Sequence, residues 1–361
     1  MSKIFAIDLG NKQSKLKSEK DIYVLPSVLV NKRDVQSVFS VSKPDGIVDL
    51  KINGSQNTYY WGSGVLNYDQ NKLMDSLGFG GRYNRTIYRL LNEFALAILG
   101  RDWNSNDDLN DVHVVVGLPT GDYTKETIDT VKSIFLDKQG NSFAPKSHLI
   151  TVDNQEVIVK VSKVTTLPQP VGTFYNLVIN DYGDIVEPDL VSKRLAIADI
   201  GGGTALLDQI MNSNLDATYR TQLEVGANTL YSQIRTVLMQ EYGLNADLHK
   251  IEILIRKALE IEILEDAQFI YVQSDTNTFD ISEVVRSEIR HYTESLANNI
   301  YTTFQNLNEV DLLVVTGGTA NIIDKTIFEQ SFGNQTKVVF TNNSEFANVS
   351  GFYKYALLRE D

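Results

Sequence analysis

The stretch "ADIGGGTALLDQI", Ala198 to Ile210, places three glycines and a threonine directly after an apolar segment that ends in aspartate. Backbone N–H groups in a concave turn can hold a phosphate group, and glycine lets the main chain approach closely because it carries no Cβ. The carboxylate of Asp199 can hold a water molecule of a Mg²⁺ ion, since Mg²⁺ prefers oxygen ligands and keeps much of its hydration. The stretch therefore predicts half of a nucleotide–Mg²⁺ site.

A second stretch near the N-terminus, "AIDLGNKQSK", repeats this pattern. Asp8 ends an apolar strand, Gly10 lies in the turn, and Lys15 lies on the returning strand, within reach of a phosphate. Lys12 and Lys17 compete for this role, and the alternative for Lys15 is a solvated position on a hairpin. We expect the two turns to face each other and to hold one polyphosphate from both sides.

Composition restricts the class of protein. The 361 residues are 42% hydrophobic and 22% charged, which is enough apolar material for buried cores and, at this length, for two domains. The net charge of -13 argues against direct capture of nucleic acid, so any DNA would need an adaptor. The chain has no cysteine, no apolar run near the ~20 residues of a membrane span, and no signal-peptide core in "MSKIFAIDLG". We expect a cytoplasmic protein without membrane association.

Strands that end in glycine turns occur near residues 8, 199 and 316, and helices lie between them, which predicts an α/β fold. Neither a P-loop motif nor G-x-G-x-x-G after a strand is present, so a different nucleotide fold is needed. His113 lies inside a strand and is interpreted as a core residue. The predicted strands are Lys3–Asp8, Val112–Val116, which Gly117 breaks, Leu195–Ile200 and Asp311–Gly318. The predicted helices include 85–100, 124–135 with Thr124 as its cap, 226–243 and 281–306.

Three motifs in this order resemble those of the actin-like ATPase superfamily. "FAIDLGNKQSK" resembles its first phosphate loop, "LAIADIGGGT" its second, and "DLLVVTGGTANII" its adenosine loop. Other stretches resemble the bacterial plasmid-segregation actins of the ParM (StbA) family: "DLGN", "GGRYNRTIYRLLNEFALA", "GLPTGDY" and the closing "EFANVSGFYKYA". The resemblance implies an actin-like two-domain α/β fold, in which two ribonuclease-H-like domains face a cleft that binds ATP or ADP with Mg²⁺. Domain I would comprise residues 1–165 plus 341–361, and domain II residues 166–340.

The resemblance also implies roles for individual residues. Asp8 and Asp199 match the positions that contact Mg²⁺ through water. The residues matched to the first phosphate loop are Gly10, Asn11 and Lys15; those matched to the second are Gly201, Gly202, Gly203 and Thr204; those matched to the adenosine loop are Gly317, Gly318 and Thr319. Glu224, Asn228, Arg256 and Lys257 lie in the helical region that usually completes the adenosine pocket, but solvated helix faces are the favoured interpretation of these four.

Gln169, in "TTLPQPVGTFY", matches the family position that orients the attacking water. An uncharged amide is no strong base, but it can accept a hydrogen bond from water and fix that water in line with the γ-phosphoryl group. Some relatives carry a carboxylate here. The alternative is that "PQP" forms a stiff extended connector with an exposed glutamine.

The resemblance implies an ATPase that polymerises into dynamic filaments of its own copies. In a ParM-like system a ParR-like DNA-binding adaptor at a centromere-like site captures the filament end, and elongation separates plasmid copies. Two alternatives remain open: a small-molecule, sugar-type kinase of the same superfold, with Asp122 as its candidate general base, and a bacterial or phage cytoskeletal filament outside DNA segregation.

Overall fold

The structure, a computed structural model, describes residues 2–35, 43–76, 81–103, 106–305, 307–333 and 335–359. Gly80, in the stretch "GGRYNRTIY", lies outside these residues. The chain packs as two compact units: unit 1 is Met1–Val186 with Asn348–Asp361, and unit 2 is Glu187–Ala347. The sequence-based boundaries assign residues 166–186 to domain II and 341–347 to domain I, whereas in the structure these segments belong to unit 1 and unit 2, respectively.

The strands and helices are numbered in chain order. The described strands are β1 (Lys3–Leu9), β2 (Gln13–Lys17), β3 (Ile22–Pro26), β4 (Val28–Asn31), β5 (Val48–Ile52), β6 (Tyr59–Trp61), β7 (Leu73–Asp75), β8 (Val112–Leu118), β9 (Asp137–Gln139), β10 (Ser142–Ala144), β11 (Lys146–Val152), β12 (Gln155–Pro168), β13 (Arg194–Ile200), β14 (Ala205–Met211), β15 (Asn214–Leu223), β16 (Ile270–Ser274), β17 (Asn277–Asp280), β18 (Leu312–Thr316) and β19 (Lys337–Phe340). The described helices are α1 (Lys32–Val35), α2 (Thr86–Gly100), α3 (Lys125–Phe135), α4 (Gln169–Val178), α5 (Ala227–Tyr242), α6 (Leu248–Ile261), α7 (Ser282–Phe304), α8 (Lys325–Phe332) and α9 (Ala347–Leu358).

The main sheet of unit 1 has the strand order β3-β2-β1-β8-β12-β11-β5-β6-β4-β7. β1, β8 and β12 are parallel neighbours, with Lys3 opposite Val112 and Val112 opposite Val161. Their carboxyl ends therefore lie at one edge of the sheet. Phe5 and Ile7 of β1 pack with the apolar side of α2 in a buried core. The core thus fixes the edge at which Asp8 and Gln169 appear.

Residues 166–186 stay in unit 1 because α4 directly follows β12 and packs against α9. The ring of Phe352 in α9 lies against two glycines: a Cβ on Gly117 would be 2.3 Å from this ring, and one on Gly172 would be 2.4 Å from it. Gly117 was expected to break its strand at Val116, but β8 continues through it to Leu118. The missing Cβ there makes room for a helix rather than a turn.

Unit 2 contains a sheet with the order β15-β14-β13-β18-β19. β13 runs parallel to β18, with Asp199 opposite Thr316, and antiparallel to β14, with Asp199 opposite Leu206. Helices α5, α6, α7 and α8 supply apolar side chains to the core beside this sheet. β16 and β17 form a separate hairpin. The glycine turns near residues 200 and 317 therefore emerge from neighbouring strands.

Several predicted helix ends are confirmed. The backbone N–H of Thr127 donates to the side chain of Thr124, which caps α3. α5 ends at Gly243, which adopts a left-handed conformation. α7 covers Ser282–Phe304 of the predicted 281–306. Among the described helices, none combines the length and apolarity needed to cross a membrane.

His113 is buried in β8, as predicted, and its Nε2 lies 2.9 Å from Thr165 Oγ1. Burial lowers the pKa of His113 from 6.5 to about 4. Because the unfolded chain binds the proton more tightly, this histidine stabilises the fold above pH 6.5 and loses that contribution as the pH falls to about 4. We expect His113→Gln, which keeps a polar side chain, to remove a pH-dependent part of the free energy of unfolding of about 3 kcal/mol. The free energy of unfolding of both proteins is measured in denaturant between pH 7 and 4. An equal decrease in the two proteins over this range would contradict the prediction.

Candidate functional site

The first turn of the candidate site joins β1 to β2 in unit 1. The N–H of Gly10 donates to Gln13 O at 3.0 Å, and a Cβ on Gly10 would lie only 2.8 Å from that oxygen. Ser27 holds two carbonyl groups of the turn: its Oγ donates to Gly10 O at 2.7 Å, and its N–H donates to Lys12 O at 2.8 Å. In the described part of the chain, the N–H groups of Asn11 and Lys12 donate no hydrogen bond. The turn thus presents free donors, which suits an anion.

The structure distinguishes the three lysines near this turn. Lys15 is directly opposite Asp8 in the antiparallel pair of β1 and β2, so their side chains lie on the same face. Lys17 is placed over the ring of Tyr353, 5.2 Å from its centroid, and Lys12 is exposed in the turn. Of the three, Lys15 is therefore the one beside Asp8.

Gln169 is buried at the start of α4 and contacts Asp8, so it is not an exposed residue of an extended connector. Its Nε2 donates to Asp8 Oδ1 at 2.9 Å. An ionised carboxylate only accepts hydrogen bonds, so this contact fixes the orientation of the amide. Gln169 Oε1 is buried and has no partner among the described residues. An unpaired buried acceptor costs about 1–3 kcal/mol, which suggests that a bound water or ligand completes it.

Arg82, which was not predicted as a site residue, contacts the first turn from behind. It is 8% exposed, and its guanidinium donates to Leu9 O at 2.9 Å and to Asn11 Oδ1 at 3.0 Å. The guanidinium also stacks over Tyr88, 5.2 Å from the ring centroid. Ser27 was missed in the same way. The only sequence signal for Arg82 was its position near two tyrosines in the stretch "RYNRTIY". Nothing in that stretch indicates a contact with the first turn.

The second turn joins β13 to β14 in unit 2 and resembles the first in its hydrogen bonding. The N–H of Gly201 donates to Thr204 O at 2.8 Å, and the carbonyls of Gly201 and Gly202 accept from the first two N–H groups of α5. The N–H groups of Gly202, Gly203 and Thr204 donate to no described residue. A Cβ on Gly203 would have no protein atom within 4 Å, so protein packing does not require this glycine. It leaves space for a group that approaches the backbone.

The third turn follows β18 and is bonded to the second. Thr319 is fully buried, and its Oγ1 donates to Gly201 O at 2.8 Å. Gly317 has a φ of +87°, and a Cβ there would lie 2.4 Å from Ile200 O and 2.5 Å from Asp199 Oδ1. Gly317 therefore allows the strand end that carries Asp199 and the third turn to lie against each other.

This contact predicts a large cost for Gly317→Ala. We expect the substitution to lower the free energy of unfolding by about 3 kcal/mol or more, because backbone strain adds to two severe contacts. Gly243→Ala is a matched control, since Gly243 also has a positive φ, +63°, but a Cβ on it would have no atom within 4 Å. The control should cost about 1 kcal/mol. If urea unfolding shows that both substitutions lower the free energy of unfolding equally, the close contact is not the reason that position 317 requires glycine.

Of the helical residues considered for the adenosine pocket, Arg256 lies beside the third turn. Its Nε donates to Glu252 Oε1 at 3.2 Å, and its Nη1 is 3.9 Å from Glu345 Oε1. A Cβ on Gly318 would lie 3.4 Å from both Arg256 Nη2 and Glu345 Oε1. The others are Asn228, which is half-buried, and Glu224 and Lys257, which are exposed.

Two family models match this chain. Residues 6–172 match the actin-like proteins N-terminal domain, and residues 194–348 match the Alp7A C-terminal domain. Among solved structures, the apo pSK41 ParM protein superposes with a TM-score of 0.73 at 21% identity, covering 99% of this chain and 98% of that one. The chain is an actin-like protein with a ParM-type fold. The sequence-based resemblance and the predicted two-domain α/β fold class are thereby confirmed.

Other actin-like structures agree with this fold. An archaeal actin homologue, Ta0583, gives a TM-score of 0.75 at 18% identity over 100% of both chains. ParM of Bacillus thuringiensis with ATP gives 0.72 at 15% identity over 99% of both chains. At these sequence identities the structural similarity establishes only the fold of this actin-like protein.

One curated sequence also aligns with part of this actin-like protein. A probable phospholipid-transporting ATPase IIB of Bos taurus is 22% identical over 212 residues, which is 58% of this chain. The chain spans only 15% of that relative's length, so the relative's activity is not transferred to it.

Proposed function

We propose that this actin-like protein binds ATP or ADP with Mg²⁺, hydrolyses ATP, and polymerises into dynamic filaments. The observation that carries the proposal is the pair of glycine turns, one in each unit. In both turns several carbonyl groups accept hydrogen bonds from the protein, while N–H groups at the tip donate to no described residue. In both, an aspartate is the second-last residue of the preceding strand. Units 1 and 2 would be the actin-like domains I and II.

Nucleotide binding is supported by relatives as well as by the turns. Solved neighbours include the archaeal actin homologue in complex with ADP and Bacillus thuringiensis ParM with ATP and with AMPPNP. In this chain Gly10, Asn11 and Lys15 would bind the β- and γ-phosphates from unit 1. Gly201, Gly202, Gly203 and Thr204 would bind phosphates from unit 2, and Gly317, Gly318 and Thr319 would lie against the adenosine.

The carboxylates of Asp8 and Asp199 would hold a Mg²⁺ ion through water. No cluster of three or more metal-ligating side chains occurs among the described residues, so the protein part of the site would be incomplete by itself. Mg²⁺ characteristically combines one or two carboxylates with waters and substrate phosphates, which matches this donor set. When bound, the ion would neutralise charge on the phosphates.

Gln169 would position the attacking water. Because its Nε2 is bonded to Asp8, its Oε1 is the free acceptor, and a water that donates to Oε1 has a lone pair left for attack. Gln169 would then contribute orientation rather than strong base catalysis, as an amide can.

The filament would act in plasmid partition within the bacterial cytoplasm. With a net charge of -13 the protein is poorly suited to bind DNA directly, so a ParR-like adaptor at a centromere-like site would connect the filament to DNA. ATP would favour assembly because it supplies a γ-phosphate that ADP lacks, and hydrolysis would remove that group.

The kinase alternative receives less support because Asp122 is already engaged. Tyr83 Oη donates to Asp122 Oδ2 at 2.6 Å. Burial, together with neighbouring Tyr88 and the hydrogen bond to Asp122, raises the pKa of Tyr83, so this donor stays protonated. A general base for a sugar hydroxyl needs an available carboxylate oxygen, and the contact with Tyr83 leaves only Oδ1 of Asp122 for that role. A cytoskeletal filament outside DNA segregation differs from our proposal only in its partner.

The proposal is tested by incubating the purified protein with Mg²⁺ and ATP, with and without a panel of sugars. We expect phosphate release that the sugars do not change, together with polymer that pellets on centrifugation. A phosphorylated sugar without polymer would replace the proposal with the kinase. If polymer forms, failure to recover an adaptor–DNA complex on the filaments would favour the cytoskeletal alternative.

A further inference from the structure

We propose that Arg82 is a positioning residue for the first phosphate loop and that it acts through Asn11. This inference rests on the proposed nucleotide function. The guanidinium donates to Leu9 O and to Asn11 Oδ1, so it contacts the loop on both sides of Gly10. Arg82 is buried against the loop, so in this proposal it acts without touching the phosphates itself.

No carboxylate of the described residues forms an ion pair with Arg82. The guanidinium is buried, no acidic group within 4 Å pairs with it among the described residues, and its Nε has no hydrogen-bond partner there. A buried charge without a counter-charge is destabilising. A polyphosphate held by the loop would supply the missing negative charge, and this gives Arg82 a reason to favour the occupied state.

Asn11 provides the route by which this charge acts. Its side-chain oxygen is occupied by Arg82 Nη1 at 3.0 Å, so its Nδ2 hydrogens remain as donors. A hydrogen bond from a cation to the amide oxygen polarises the amide and strengthens the donors on its nitrogen. Arg82 therefore both orients Asn11 and strengthens its hydrogen bond to a phosphate. Ser27 holds the neighbouring carbonyl groups and so maintains the shape of the loop. Arg82 supplies the positive charge beside it.

The test measures binding of Mg²⁺–ADP and of AMP to wild type, Arg82→Met and Arg82→Lys, with Arg89→Met as the control. Arg89 lies on the same segment, but its side chain is 56% exposed. We expect Arg82→Met to raise the Kd for ADP about 10- to 100-fold, as loss of a charge-assisted contact does, and to change the Kd for AMP less than about twofold. Arg82→Lys, which keeps the charge but not the two-pronged contact, should lie between wild type and Arg82→Met. Arg89→Met should bind like wild type.

A double-mutant cycle with Asn11→Ala separates this role from a general structural one. If Arg82 acts through Asn11, the double variant binds ADP no more weakly than the weaker single variant. Additive losses, equal losses for AMP and ADP, or wild-type ADP binding by a folded Arg82 variant would overturn the inference. If Arg82→Met does not fold, unchanged ADP affinity in Arg82→Lys would overturn it. If wild type binds no nucleotide at all, the proposed function fails before the role of Arg82 is reached.

Discussion

Asp199→Ala is expected to abolish ATP turnover and every nucleotide-dependent change in assembly. Asp199 is half-buried at the end of β13, opposite Thr316, and its Oδ1 lies against the third turn. The hydrogen bonds described for the second turn use backbone groups of residues 201–204 and 226–228 and the Thr319 hydroxyl, so the turn should survive the substitution. What disappears is the carboxylate proposed to hold Mg²⁺ through water. A loss of several kcal/mol of charge stabilisation corresponds to a rate decrease on the order of a thousandfold or more.

Phosphate release measures this effect, with Asp275→Ala as a control. Asp275 is an exposed acid between β16 and β17 in unit 2, so its removal makes the same change in net charge outside the turns. The control should hydrolyse ATP like wild type. A folded Asp199→Ala protein with unchanged turnover would show that the second turn is not part of the catalytic site.

Gln169→Ala is expected to bind ATP and assemble, but its rate of ATP hydrolysis should be about 100-fold to 1,000-fold lower than that of wild type. The magnitude follows from the loss of one oriented hydrogen bond to the attacking water in a reaction that depends on positioning. Binding should persist because the proposed phosphate donors lie in the two turns and not in α4. The filaments of this variant should therefore be long-lived.

Single-turnover phosphate release, followed beside sedimentation, tests the role of Gln169. Gln155→Ala is the matched control, since Gln155 is an exposed glutamine at the start of β12, whose other end leads to Gln169. Wild-type phosphate release from Gln169→Ala would refute the assignment. Loss of ATP binding would instead show that Gln169 helps to bind ATP before hydrolysis begins.

The strands that precede the glycine turns, and the turns themselves, could be predicted from the sequence because their signals are local. An apolar run, a terminal aspartate and a glycine turn lie within a few residues of each other at Asp8 and at Asp199. The helix cap at Thr124 and the left-handed Gly243 are local in the same sense.

The parts that could not be predicted depend on distant residues. Arg82 reaches Leu9 across 73 positions, and Gln169 reaches Asp8 across 161. The unit boundary depends on Phe352, which fills the space beside Gly117 and Gly172 and so keeps α4 in unit 1. No periodicity in the sequence of 166–186 indicates which sheet that helix packs against.

The central claim is that nucleotide state controls assembly, and right-angle light scattering of the purified protein tests it most directly. Mg²⁺ and ATP are added, with ADP and a non-hydrolysable ATP analogue in parallel, and phosphate release is recorded in the same samples. We predict a rise in scattering with ATP that decays as phosphate appears, a stable rise with the analogue, and no lasting rise with ADP. ATP turnover with no change in scattering under any of these nucleotides would contradict the claim.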